Sequence, residues 1–282
     1  MKHGFQLVDV FGESPDFGNA LAVISDGEDL TTEAMLKITR WLNLSETVFL
    51  LPPGVPGADY RARIFTLERE MPFAGHPTLG ACHAWLSAGN RPRNPAEIVQ
   101  ECGIGLVRIR NTGTTLEFAA PPLIDSGDVE ESRLTEISKF LGIPRSRIVD
   151  ARWADNGPGW FMVLLGSAAE VLELKPARSY EGRLDLGVVG PYPASSPAAF
   201  ELRAFFTDHL GSVREDPVTG SLNACVAEWL VATSRASLPY IASQGSRVGR
   251  SGRVYVTAGE RGEIWIGGRT TTLFAGTRGS WE

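Results

Sequence analysis

The sequence predicts an α+β protein built as two pseudo-equivalent lobes, each a curved, barrel-like β-sheet around a central apolar α-helix. Three observations carry that reading. The 282 residues include 31 glycines and 18 prolines, which punctuate the chain into many short apolar runs of strand length. One pattern occurs twice. Tyr60-Arg61-Ala62-Arg63-Ile64-Phe65 resembles Phe200-Glu201-Leu202-Arg203-Ala204-Phe205 at an offset of 140 residues. Ala81-Cys82-His83-Ala84-Trp85-Leu86 likewise resembles Cys225-Val226-Ala227-Glu228-Trp229-Leu230 at an offset of 144. Finally, residues 77–90 contain no Asp, Glu, Lys or Arg, and residues 221–233 contain only Glu228. A helix that is apolar all round is buried on every side, and in so strand-rich a chain the burying material is sheet. If the lobes face each other, both helix N-termini point into one cleft.

The elements follow in order. Residues 5–10 and 20–24 are short apolar runs separated by the turn residues Gly12-Glu13-Ser14-Pro15-Asp16. Thr31, Thr32 and Glu33 open a helix through Leu42, with an apolar face of Met35, Ile38, Trp41 and Leu42. Residues 48–51 read as a buried strand, and Tyr60, Ala62 and Ile64 alternate with Arg61 and Arg63 to give a strand with one dry face. Three strand-like stretches lie between Ile98 and Phe118, and Pro121-Pro122 marks a boundary between an N-terminal lobe (1–121) and a C-terminal lobe (122–269). The second lobe opens with a helix over 132–141 and a strand over 160–165. Residues 190–197 read as a loop with three prolines, followed by a strand over 200–206 and the apolar helix over 221–233. Alternation around Val254-Tyr255-Val256 and Ile264-Trp265-Ile266 gives the last strands.

Composition narrows the function. Charged residues are 21% and hydrophobic residues 43%, a globular balance, and a net charge of −6 argues against a nucleic-acid partner. The longest purely apolar run, 160–165, is far too short to span a bilayer, and Met1-Lys2-His3-Gly4-Phe5 does not read as a secretion signal. Cys82, Cys102 and Cys225 are odd in number and widely spaced, which suits free thiols in a reducing cytoplasm. No His, Cys, Asp or Glu grouping has metal-site spacing, and no glycine-rich phosphate loop is present, so neither a metal nor a nucleotide cofactor is expected.

Chemistry concentrates at the starts of the two apolar helices. Gly75-His76-Pro77-Thr78 opens the first, and Asp216-Pro217-Val218-Thr219-Gly220-Ser221 opens the second. Free N–H groups and the helix dipole at such ends attract carboxylates or phosphates, although capping by Thr219 or Ser221 is the ordinary alternative. At a helix start the dipole favours a neutral His76 imidazole able to exchange protons. His83, inside the apolar stretch, reads as a satisfied core histidine. Glu46 directly precedes an apolar strand, where desolvation raises a carboxyl pKa and makes a usable general acid/base. Asp216 is a second acidic group ahead of the second helix.

The segments Asp9-Val10-Phe11, Phe17-Gly18-Asn19, Asn43-Leu44-Ser45-Glu46-Thr47, Pro72-Phe73-Ala74-Gly75-His76-Pro77-Thr78 and Glu215-Asp216-Pro217-Val218-Thr219-Gly220-Ser221 resemble, in order, motifs of the phenazine biosynthesis PhzF-like family. Gln244-Gly245 with Gly249-Arg250 resembles a further one, and the chain departs from the pattern at Ala20 and Ser251, where proline is common. The resemblance implies a diaminopimelate-epimerase-like fold, with residues from about 270 to 282 completing the first lobe. It also implies a cofactor-free isomerase similar to trans-2,3-dihydro-3-hydroxyanthranilate isomerase. By resemblance Glu46 moves a proton between carbons while His76 and Asp216 assist. Gly75, Gly220 and Ser221 hold the substrate carboxylate, with Asn19, Ser45 and Thr219 completing the binding set, and the assembly is a homodimer. Two alternatives stand beside this one: an amino-acid epimerase or racemase of the same fold, and a non-catalytic small-molecule binder. The epimerase chemistry needs paired cysteines at the helix starts, whereas Cys82 lies six residues beyond His76 and Cys225 is equally deep in its helix.

Overall fold

The computed structural model describes residues 3–208, 210–277 and 279. The chain forms two compact units, Met1–Ala119 with Trp265–Glu282, and Ala120–Ile264. Trp281 and the other residues at the end of the expected completing segment lie outside the described residues.

In the first unit the elements run β1 (Gly4–Val10), β2 (Asn19–Ile24), α1 (Thr32–Leu42), β3 (Glu46–Leu51), β4 (Tyr60–Thr66), β5 (Glu70–Met71), α2 (Gly75–Ser87), β6 (Ile98–Cys102), β7 (Gly105–Asn111) and β8 (Leu116–Ala119). The second unit contains β9 (Asp125–Asp128), α3 (Glu131–Leu141), β10 (Ile148–Asp155), β11 (Trp160–Leu165), α4 (Ala168–Glu173), β12 (Asp185–Pro191), β13 (Phe200–Thr207), β14 (Val213–Asp216), α5 (Gly220–Ala232), β15 (Tyr240–Gln244) and β16 (Gly252–Ala258). The chain then returns to the first unit with β17 (Ile264–Gly268) and β18 (Thr270–Thr277).

The strands of the two units repeat one pairing scheme. In the first unit β1 is flanked antiparallel by β18 and β2, β2 pairs parallel with β3, and β3 antiparallel with β4. Strand β4 takes the short β5 antiparallel and β6 parallel, and β6, β7, β8 and β17 continue antiparallel. In the second unit β10 is flanked antiparallel by β9 and β11, β11 pairs parallel with β12, and β12 antiparallel with β13. Strand β13 takes β14 antiparallel and β15 parallel, and β15 continues to β16. The repeated sequence segments thus fall on β4 and β13 and on α2 and α5.

Each apolar helix is enclosed by its own sheet. Helix α2 touches β1, β2, β3, β4, β6, β8 and β18, and α5 touches β10, β11 and β16. Every residue from Gly75 to Cys82 is buried, as is every residue from Gly220 to Ala227. Close approach leaves no room for side chains at some contacts: a Cβ on Gly80 would sit 2.4 Å from Leu21 Cδ2, and one on Gly187 2.2 Å from Leu222 Cδ1.

Two expectations are corrected. Trp41 is 83% exposed, because at 100° per residue it lies about 120° around α1 from Met35 while Ile38, Thr39 and Leu42 flank Met35. The loop expected from Gly190 starts later, since β12 pairs with β13 through Pro191↔Phe200.

Candidate active site

The first constellation gathers Asn19, Ser45, Glu46, Gly75 and His76 within the first unit. Glu46 is the first residue of β3, paired across to Thr66 of β4, and half-buried Ser45 precedes it in the turn that leaves α1. His76 is the second residue of α2, after Gly75. The N-cap position belongs to Ala74, which is extended and has no side-chain oxygen to cap the helix, and no acidic residue occupies the first turn. The peptide N–H groups at this start therefore have no side-chain partner from a cap.

The His76 ring is buried, and burial pushes its pKa down to about 3, so the ring is neutral across the physiological range. Its Nε2 stands 3.6 Å from Glu46 Oε2. With a neutral ring this contact is no ion pair, and at that distance it is not yet a hydrogen bond. On the other side of the ring, Asn19 Nδ2 lies 3.4 Å from Nδ1. An amide nitrogen can only donate, so the network assigns Nδ1 as acceptor and puts the ring proton on Nε2, facing the Glu46 carboxylate.

The second constellation surrounds the start of α5. Thr219 occupies the N-cap position without capping; its hydroxyl donates instead to Asp216 Oδ2 at 2.5 Å. The ordinary capping alternative thus does not hold for Thr219. Ser221 Oγ accepts from Trp160 Nε1 at 3.1 Å, and its carbonyl accepts from Asn156 Nδ2 at 2.9 Å. Gln244 ties these pieces together. Its Oε1 accepts from the Thr219 N–H (3.1 Å) and Asn223 Nδ2 (3.2 Å), and its Nε2 donates to Thr219 Oγ1 (2.9 Å) and the Asp216 carbonyl (3.2 Å). Gly245 follows at φ +98°, where a Cβ would lie 2.6 Å from the Pro217 carbonyl oxygen. Only glycine adopts this turn without strain.

Sequence reasoning singled out Gln244-Gly245 as a motif without giving Gln244 a role, and it missed Asn156, in the turn after β10, and Trp160, at the start of β11. A signal for Gln244 lay in the repeat: Gln100, 144 residues earlier, donates to Thr78 Oγ1 at 3.0 Å and accepts from Tyr60 OH at 3.1 Å at the start of α2. The thiols sit away from this chemistry. Cys82 and Cys225 are buried inside the helices, and burial pushes Cys82 up to about 12 and Cys225 higher still. His83 is satisfied at both ring nitrogens by Thr270 and Thr272 hydroxyls at 2.9 Å. Among the described residues no three His, Cys, Asp or Glu side chains converge as a metal site requires, and no helix is long and apolar enough to cross a membrane.

A family model described as "Phenazine biosynthesis-like protein" matches residues 8–276. Among curated proteins, "Antisense-enhancing sequence 1" of Schizosaccharomyces pombe is 32% identical, covering 98% of this chain and 98% of that protein. Trans-2,3-dihydro-3-hydroxyanthranilate isomerase of Pseudomonas aeruginosa is 31% identical, covering 93% of this chain and 92% of that protein. Among solved structures, a predicted epimerase from Pseudomonas aeruginosa matches with a TM-score of 0.80 at 26% identity, over 100% of both chains. The fold is of the diaminopimelate-epimerase-like, α+β kind. The chain belongs to the phenazine biosynthesis-like protein family and is an isomerase of that family.

Proposed function

We propose that the protein is a cofactor-independent isomerase of a small carboxylated substrate, and that Glu46 is its single general acid/base. The observation that carries this is the buried, neutral His76 imidazole facing Glu46 at 3.6 Å beside an uncapped helix start. As carboxylate, Glu46 takes a proton from one substrate carbon and becomes a neutral acid, while the electron pair left behind delocalises over the substrate. Glu46 then returns the proton to another carbon, so atoms and charge balance with no co-reactant. Positive ends of helix dipoles, with N–H groups free of side-chain caps, suit the carboxylate and the charge that grows on the substrate. In the first unit Gly75 supplies those groups, with Ser45 next to Glu46, and in the second unit Gly220 and Ser221, following Thr219, occupy the matching place at the start of α5. His76 holds the Glu46 carboxylate through Nε2–H as the pair closes, and Asp216, held by the Thr219 hydroxyl, assists proton handling. By the same reading the protein works in the cytoplasm as a homodimer, without nucleic-acid or membrane partners.

The reading is tested with trans-2,3-dihydro-3-hydroxyanthranilate in D2O, followed by ultraviolet absorbance and proton NMR. Conversion by the wild type and a loss of about 10²- to 10⁴-fold in Glu46→Gln is expected, the range for removing a general acid/base. No conversion by folded wild type sinks that substrate; a screen of small amino and hydroxy acids for deuterium uptake then tests the isomerase chemistry itself. Ligand-induced stabilisation without turnover, unchanged in Glu46→Gln, would favour a binding protein. The two-cysteine epimerase reading is disfavoured by thiols that are buried and held protonated.

A further inference from the structure

We propose that Asn19 is a positioning residue that acts through His76, fixing the Nε2–H tautomer, and that the Asp9-anchored turn between β1 and β2 holds Asn19 in place. The inference rests on the Glu46–His76 reading above and assigns that site its orienting partner.

The chain of contacts is continuous within the first unit. Glu46 Oε2 meets His76 Nε2 at 3.6 Å, and His76 Nδ1 meets Asn19 Nδ2 at 3.4 Å. Asn19 is buried at the start of β2, paired with Val10 at the end of β1. The turn between them is built around the buried Asp9 carboxylate, which accepts backbone N–H groups of Asp16, Phe17 and Gly18. Two glycines admit that carboxylate: a Cβ on Gly12 would lie 2.5 Å from Asp9 Oδ2, and one on Gly18 2.3 Å from Asp9 Oδ1.

A second feature shows that the turn is over-determined. Phe11, fully buried, sits at φ +69°, a left-handed conformation costly for a bulky residue. Its N–H donates to the Arg269 carbonyl at 2.8 Å, and its ring lies where a Cβ on Gly268 would approach Cδ1 to 2.2 Å. Strained backbone persists only where surrounding contacts hold it. Here they hold the turn that delivers the Asn19 amide to one ring nitrogen. A neutral imidazole has one proton to place. A donor at Nδ1 forces that proton to Nε2, where it faces the carboxylate; the opposite tautomer would set two lone pairs against each other.

The test reads the tautomer directly, by ¹H–¹⁵N correlation NMR of histidine-labelled protein at neutral pH, with His76→Gln giving the assignment. In the wild type, Nε2 is expected to carry the proton and Nδ1 to be bare. Asn19→Asp is nearly isosteric but turns the donor into an acceptor, so a proton should appear at Nδ1. Asp9→Asn weakens the anchor and should give a mixture of tautomers. Where a substrate is in hand, Asn19→Asp should lower kcat by about 10²-fold or more with KM changed less than about threefold. A bare Nε2 in the wild type, or an unchanged Nε2–H signature in Asn19→Asp, would overturn the assignment whether or not the substrate class proves right. An unchanged tautomer in folded Asp9→Asn would overturn the role of the turn.

Discussion

The pH dependence of stability isolates the buried state of His76. In the unfolded chain the imidazole titrates near its ordinary 6.5, whereas in the folded protein burial holds it at about 3. Between those values the unfolded chain binds a proton that the folded protein refuses, so stability rises with pH across the window. The contribution is intact above pH 6.5 and is lost as pH falls toward 3. At about 1.4 kcal/mol per pH unit the full gap corresponds to about 5 kcal/mol, of which about 3 kcal/mol is lost by pH 4. Burial shifts other groups as well: His83 is also lowered, and Asp9 and Glu201 are raised, all first by desolvation. A comparison with His76→Gln cancels them. Urea unfolding of both proteins from pH 8 to pH 4 should show the wild type losing about 3 kcal/mol more than the variant. Parallel curves would refute a neutral, proton-refusing His76.

Gln244→Leu leaves the Thr219 N–H and Asn223 amide without their shared acceptor, and urea unfolding should register a loss of about 2–4 kcal/mol. Trp41→Gln, on the exposed face of α1, should change stability by less than about 0.5 kcal/mol; a larger loss would mean that the indole is covered. Cys82, buried and held protonated, should react with a thiol reagent at pH 8 only on global unfolding, which mass spectrometry of trypsin-digested protein would follow. Rapid native labelling there would revive the thiol-based epimerase reading.

The architecture was legible where burial leaves a periodic or compositional trace. The uncharged stretches announced α2 and α5 because helices enclosed by sheet have no solvated face, and the repeat announced that β4 and β13 are equivalent. Strand β9 left no trace, since Asp125-Ser126-Gly127-Asp128 has no apolar residue. Its pairing with β10 makes it a strand, and Arg152 Nη1 binds Asp128 Oδ1 at 2.6 Å across that ladder. The end of strand β12 was hidden by Gly190, which read as the start of a loop but marks close packing: a Cβ there would meet the Ser167 carbonyl oxygen at 2.3 Å. At the site, Glu46 and His76 could be named because each sits at a definable place, a strand start and a helix start. The Asn19 contact could not be read from the chain, because it depends on how far a turn carries one amide across to α2. Gln244, similarly, acts from a strand distant in sequence; the repeat offers Gln100 as its counterpart, but its role shows only in its four hydrogen bonds.

The strand that flanks β1 is contributed by residues 270–277, after the whole second unit has passed in the chain. A ribosome adding about 5–20 residues per second takes on the order of ten seconds to synthesise the intervening segment. During that interval the second unit, contiguous in sequence, can close around α5, while β1 waits with one ladder of backbone groups unpaired. An unpaired edge is a template for adventitious pairing, so the nascent chain is vulnerable at β1 until β18 arrives. Unit 1 is therefore completed only after the whole of unit 2 has been synthesised, and the half that carries Glu46 and His76 is closed by a strand that follows it in the chain.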